Sequence, residues 1–121
     1  PNWRTLHRKM GATCQKANVE KMGRPVFCVN VNLYVKPDRR EEFLACIRNN
    51  KRGTEGTEAL ALEYTWGESM EEKNTFHFQE KYIGKEGFEA HQKAPHFAVW
   101  EKFAKSDPFT KPPEVFLFQS A

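Results

Sequence analysis

In Val26-Phe27-Cys28-Val29-Asn30-Val31-Asn32-Leu33-Tyr34-Val35-Lys36-Pro37-Asp38, apolar and polar side chains take turns until a proline interrupts them. Successive side chains of a strand point to opposite faces. Val29, Val31, Leu33 and Val35 therefore share one face, and Asn30, Asn32 and Tyr34 the other. The pattern reads as a strand over 26–35. Lys36-Pro37-Asp38 turns the chain, and Asp38 with Glu41 three residues on has the spacing of a helix N-cap. The helix expected next carries Phe43, Leu44 and Ile47 on its apolar side and Arg39, Arg40, Arg48 and Lys51 outward. Gly53 and Gly56 mark its expected exit.

Downstream, a second strand is predicted over about 59–66, with Leu60, Leu62, Tyr64 and Trp66 on one face. Polar residues 68–74 read as a hairpin connection, and a third strand over 75–82 sets Phe76 and Phe78 opposite His77 and Gln79. A helix over 86–93 follows. Pro95 stops it and opens another, with Phe97, Trp100, Phe103 and Ala104 inward. Asp107-Pro108 and Pro112-Pro113 stiffen the approach to a last strand over 114–119, which carries Phe116 and Phe118. The order β-α-β-β-α-β is that of an α+β, ferredoxin-like fold. It predicts a four-stranded antiparallel sheet with helices on one face and the first and third strands central.

The remaining features bound the function. A chain of 121 residues is one domain's worth of protein. No apolar run approaches the ~20 residues that span a bilayer, and residues 1–24 hold no signal-peptide core. Residues 1–25 carry six basic side chains against the single acid Glu20, while 26–121 carry 13 basic and 15 acidic ones. The body is thus unsuited to a nucleic acid. Residues 1–25 read as a basic N-terminal extension to a domain over 26–121. Trp3, Leu6, Met10 and Cys14 recur there at helical spacing, which fits an arm on its own domain, a docking element for a protein partner, or the remnant of a processed leader. Cys14, Cys28 and Cys46 form no CxxC pair, which excludes zinc-finger and disulfide frameworks. A reducing location is expected, cytoplasmic or inside an organelle and not secreted.

The candidate site follows from parity. Asn30 and Asn32 on one strand and His77 and Gln79 on its expected neighbour lie on one face. That face is expected to lie under the helices, where an unpaired polar group costs about 1–3 kcal/mol. These groups therefore pair with one another or line a pocket between sheet and helices. On the strands the candidates are His77 and Asn32 as catalytic groups, with Asn30, Gln79 and Trp66 binding substrate. His91 suits a structural role bridging backbone groups, and Trp100 a place in the core. His91 and His96 are five apart with Pro95 between them, so no helical i, i+4 metal pair is expected.

Val35-Lys36-Pro37-Asp38 with Glu42-Phe43-Leu44 resembles the strand–turn–helix opening of antibiotic biosynthesis monooxygenase (ABM) domains. Glu80-Lys81-Tyr82, Phe88-Glu89-Ala90-His91 and Pro95-His96-Phe97 resemble the signature running from the third strand into the later helices. The resemblance covers about residues 26–121. It implies a dimeric α/β barrel in which two sheets pack face to face and the last strand reaches over the partner. Val29, Val31, Leu33, Phe76 and Phe78 are then expected against the partner's sheet in a homodimer. The resemblance also implies a pocket walled by the later helices, which adds His91 as a catalytic group and His96 and Trp100 as substrate-binding ones. Activities in such proteins include cofactor-free oxygenation of phenols and quinols, haem degradation and isomerisation. His91 and Glu101 stand about where the haem-degrading branch has a Trp and a His, which argues against haem. The expected function is cofactor-independent oxygenation of a quinol or phenolic substrate, with no cofactor and no metal. The alternative is a non-catalytic accessory or scaffold subunit that docks through the basic arm.

Overall fold

A computed structural model describes residues 24–120. The expectations for Trp3, Leu6, Met10 and Cys14 lie outside the described residues. The elements are β1 (Val26–Tyr34), α1 (Arg40–Thr57), β2 (Ala61–Glu68), β3 (Thr75–Ile83), α2 (Gly84–Gln92), α3 (Pro95–Ala104) and β4 (Glu114–Gln119). The sheet order is β2-β3-β1-β4, and every pairing is antiparallel. This is the ferredoxin-like α+β fold, with β1 and β3 central as expected. Among the described residues no helix is long and apolar enough to cross a membrane.

The alternation of β1 and β3 is as the sequence reads, but the buried face is the other one. Leu33, Phe76 and Phe78 pack with Phe43, Leu44 and Ile47 of α1 and Phe103 of α3. Val29 packs with Tyr82 and Ala61. The apolar set expected against a partner's sheet is thus covered by the protein's own helices. His77 and Gln79 are exposed, and Asn30 and Asn32 half-buried, on the open face. Hydrophobic burial decides this: a strand presents one parity or the other to the helices, and only the apolar parity is stabilised there.

Three local expectations also shift. Asp38 makes no cap. Pro37–Arg39 forms a 3-10 turn whose Arg39 N–H reaches the Lys36 carbonyl at 2.9 Å, and Pro37 supplies its fixed φ. Arg39 flanks α1 instead, and its guanidinium donates to Glu42 and to the Ser106 carbonyl and hydroxyl. Helix α1 continues through Gly53 and Gly56 to Thr57, because its buried face does not stop at the glycines: Thr54 is fully buried. Strand β2 begins at Ala61, with a bulge between Ala61 and Glu63. The extra residue puts Ala61, Tyr64 and Trp66 under the helices and displaces Leu62 from that row.

The start of α1 is tied to the β2–β3 hairpin by a two-pronged ion pair. Arg40 Nη1 and Nη2 donate to the two carboxylate oxygens of Glu68 at 2.6 and 2.7 Å, and Nη1 also reaches Asn74 Oδ1 at 2.8 Å. The Asn74 N–H donates to Glu68 at 2.7 Å from a turn residue with φ of 65°. The Arg40 hydrogen bonds, then that backbone N–H, hold the Glu68 carboxyl down at about 2.

Two predictions follow from this frame. Phe43 is fully buried among Phe76, Phe78, Trp100 and Phe103, so Phe43→Ala should lower the unfolding free energy by about 3–5 kcal/mol in urea titrations. Glu68 has a depressed folded pKa, so its contribution is complete above the unfolded carboxyl value and is lost as pH falls toward about 2. Arg40→Met should therefore lower the urea midpoint at neutral pH and flatten its decline over that acid range.

Candidate functional site

Helices α1 and α2 cover β2, β3 and β1, α3 packs on α1, and no helix packs closely on β4. The space left beside β4 is a cavity of about 400 Å³. Its sheet side is Val29, Val31, Leu33, Phe78 and Glu80, and its helix side includes Asn50, Phe88, His91, Phe97 and Trp100. Val115 and Leu117 of β4, each 54% exposed, form the outer wall.

Two of the expected site residues, His91 and Trp100, line this cavity. Asn30, Asn32, His77 and Gln79 do not: they lie on the opposite face of the sheet. There His77 Nδ1 meets Asn32 Oδ1 at 2.7 Å, Asn32 Nδ2 donates to Glu114 at 3.2 Å, and Gln79 donates to Glu63 at 3.0 Å. Trp66 stacks on Phe78 at 5.9 Å within the core. His96 is buried behind the cavity rather than in its wall. The parity argument grouped these residues correctly but assigned their face to the helices.

The cavity's polar groups come from four elements, α1, β2, β3 and α2. Glu80 of β3 is buried and its Oε1 accepts the Tyr82 hydroxyl at 2.6 Å. Burial pushes the Glu80 carboxyl above its ordinary range, against the lowering effect of that hydrogen bond and of His91. Burial likewise keeps the Tyr64 and Tyr82 phenols protonated. Asn50 of α1 donates through Nδ2 to the Tyr64 hydroxyl at 3.1 Å. Its Oδ1 is buried and finds no hydrogen-bond partner among the described residues. One end of the Asn50 amide is therefore unpaired in the cavity wall.

His91 of α2 links this wall to a second carboxyl. Its Nε2 lies 3.9 Å from Glu80 Oε1, while Nδ1 is 2.8 Å from Glu58 Oε2, beside Thr54 Oγ1 at 3.4 Å. His96 Nε2 makes a short contact with the same Glu58 oxygen. Burial raises the Glu58 carboxyl, but hydrogen bonds from His91 and His96 outweigh it and hold the group below its ordinary value. Neither Glu80 nor Glu58 was singled out from the sequence. Glu80 could have been: it breaks the apolar parity of Phe76, Phe78 and Tyr82, and a lone acid on a buried face is informative.

Gly53 explains the cluster's closeness. A Cβ there would collide with the His96 ring, whereas at Gly56 it would meet nothing. Ordinarily Gly→Ala inside a helix stabilises by about 1 kcal/mol. Gly56→Ala should therefore raise the thermal midpoint, and Gly53→Ala should lower it, since His96 must leave its place. A rise for both would show that His96 is not held against α1.

With fold and cavity in place, the comparisons with known proteins agree. The antibiotic biosynthesis monooxygenase family matches residues 26–102, and the chain belongs to that family. Its backbone resembles a crystal structure named antibiotic biosynthesis monooxygenase, at 19% identity over 78% of this chain and 98% of that one, with TM-score 0.70. A conserved protein of Methanosarcina mazei matches at 16% identity over 81% and 95%, TM-score 0.72. Rv0793 of Mycobacterium tuberculosis matches at 21% over 80% and 95%, TM-score 0.72. At these identities the likeness shows the fold alone. No curated protein matches the chain.

Proposed function

We propose that this ABM-family chain oxygenates a phenol or quinol in the cavity beside β4, without a cofactor. The observation that carries this reading is the cavity itself. Its volume falls within the ~300–1,000 Å³ of small-molecule sites, and its walls are aromatic, with a few buried polar groups. Phe88, Phe97 and Trp100 clasp an aromatic ring. The unpaired Asn50 Oδ1 accepts the substrate hydroxyl. His91 takes the proton through Nε2, the nitrogen turned away from Glu58. A phenolate held among apolar walls then reduces dioxygen. One oxygen atom becomes the new ring carbonyl. The other leaves as water with the hydroxyl and ring hydrogens, and the substrate supplies all the electrons.

Two copies pair through the open faces of their sheets in the same reading. Phe116 and Phe118 support it: both are more than half exposed and pair in register with Asn30 and Cys28 on the open face, where exposed apolar side chains mark an interaction surface. Light scattering should give a dimer, and Phe116→Asp with Phe118→Asp should give a folded monomer. A monomeric wild type would remove the pairing.

Turnover is tested by oxygen uptake and product spectra with a panel of naphthols and hydroquinones and no added cofactor. Leu117→Trp places an indole at the cavity's outer wall and should abolish turnover with the circular dichroism unchanged. Loss of turnover in His77→Ala, with Leu117→Trp still active, would move the chemistry to the open face and overturn the assignment.

A further inference from the structure

We propose that Glu58, His91 and His96 form a binding site for a zinc-like divalent cation, at the corner where the end of α1 meets the α2–α3 turn. One ligand atom from each of the three lies within 4.8 Å of the others. The side chains are 9%, 2% and 8% exposed. Two imidazole nitrogens and one carboxylate are a donor set that zinc accepts, with a fourth position left for water.

The present arrangement leaves that set incomplete. Both imidazoles crowd onto Glu58 Oε2, while Oε1 is buried and has no hydrogen-bond partner among the described residues. Ligand atoms around a tetrahedral zinc stand about 3.3 Å apart, given zinc–nitrogen distances of ~2.0–2.1 Å. The 2.8 Å contact between His91 and Glu58 opens toward that spacing, the three ligand atoms already lying within 4.8 Å of one another, and Oε1 then has a cation to face.

The surroundings fit as well. A ligating histidine is usually oriented by a carboxylate on its other nitrogen. Glu80, fixed by the Tyr82 hydroxyl, stands 3.9 Å from His91 Nε2. Gly53 is the cradle for His96, whose ring occupies the space a Cβ would fill. A shallow surface cleft lined by Asn49, Arg52, Pro95 and His96 gives an entry path. The helical i, i+4 rule missed this pair because it presumes a single helix. Here the turn at Lys93 and Ala94 brings His91 and His96 together from two.

The proposal does not rest on the oxygenation reading, although the two share His91: Glu58 and His96 do not line the cavity, and with Nδ1 on the cation the His91 Nε2 carries the ring hydrogen, so the base of the oxygenation reading is the metal-free chain's. It is tested on the full chain, stripped with a chelator and titrated with zinc chloride by calorimetry. One zinc per chain should bind, and the thermal midpoint should rise with it. His96→Gln and Glu58→Gln, each checked for folding by circular dichroism, should weaken binding beyond the ~10–100-fold that losing an outer partner costs. Gly53→Ala should weaken it as well. Absence of saturable one-to-one binding to the wild type overturns the proposal. So does zinc binding undiminished in folded His96→Gln, which would place the cation elsewhere on the chain.

Discussion

Phe43 is fully buried, and its ring lies 4.6 Å from Phe76 and 6.2–6.4 Å from Phe78, Trp100 and Phe103. This aromatic cluster joins α1, α3 and β3, and it decides which face of the sheet is inside. Once Phe76 and Phe78 are turned to Phe43, the pleat forces His77 and Gln79 outward. Register then does the same on β1, where Asn32 pairs with His77 and Asn30 with Gln79. A one-residue slip of either strand would place asparagines or a histidine against Phe43. The open polar face of the sheet is therefore a consequence of the core, and it needs no chemical role to account for it.

The cavity has the opposite standing. Burying a carboxyl or leaving an amide oxygen unpaired destabilises a fold by roughly 1–3 kcal/mol or more. Glu80 and Asn50 do both within a wall that Val29, Val31, Phe78 and Phe97 would otherwise close with apolar contacts. Local rules broken without an evident structural gain tend to collect at functional sites. The two polar groups belong to that class, whereas the hydrogen-bonded pair His77–Asn32 on the open face does not.

What was legible in the sequence was whatever depends on period and punctuation. Strand alternation, the proline turn at Pro37 and the helix opening at Pro95 each follow from one residue's backbone or side-chain geometry. The ferredoxin-like order follows from their sequence. The choice of buried face was harder because β1 and β3 each offer one apolar and one polar row, and the helices' own apolar residues had to be weighed against them. Gly53 misled for a related reason. A glycine near a helix end reads as an exit, but this one makes room for His96, a residue 43 positions further on. The Glu58 cluster was illegible by any local rule. Its members are 33 and 38 positions apart, and only the α2–α3 corner closes it.

That corner also gives His91 its place in the molecule. One edge of its ring faces Glu80, a cavity carboxyl held above its ordinary pKa by burial. The other faces Glu58, held below by two imidazole hydrogen bonds despite burial. The ring is 2% exposed and touches Tyr64, Tyr82, Phe88 and Phe97, so it has little freedom to reorient. His91 and His96 share one oxygen of Glu58, and only His91 also stands in the cavity wall, so this ring is the member common to both groups. The sheet and its helices leave the cavity beside β4. The close approach that Gly53 permits joins that cavity, through a single imidazole, to a cluster on the far side of the helix layer.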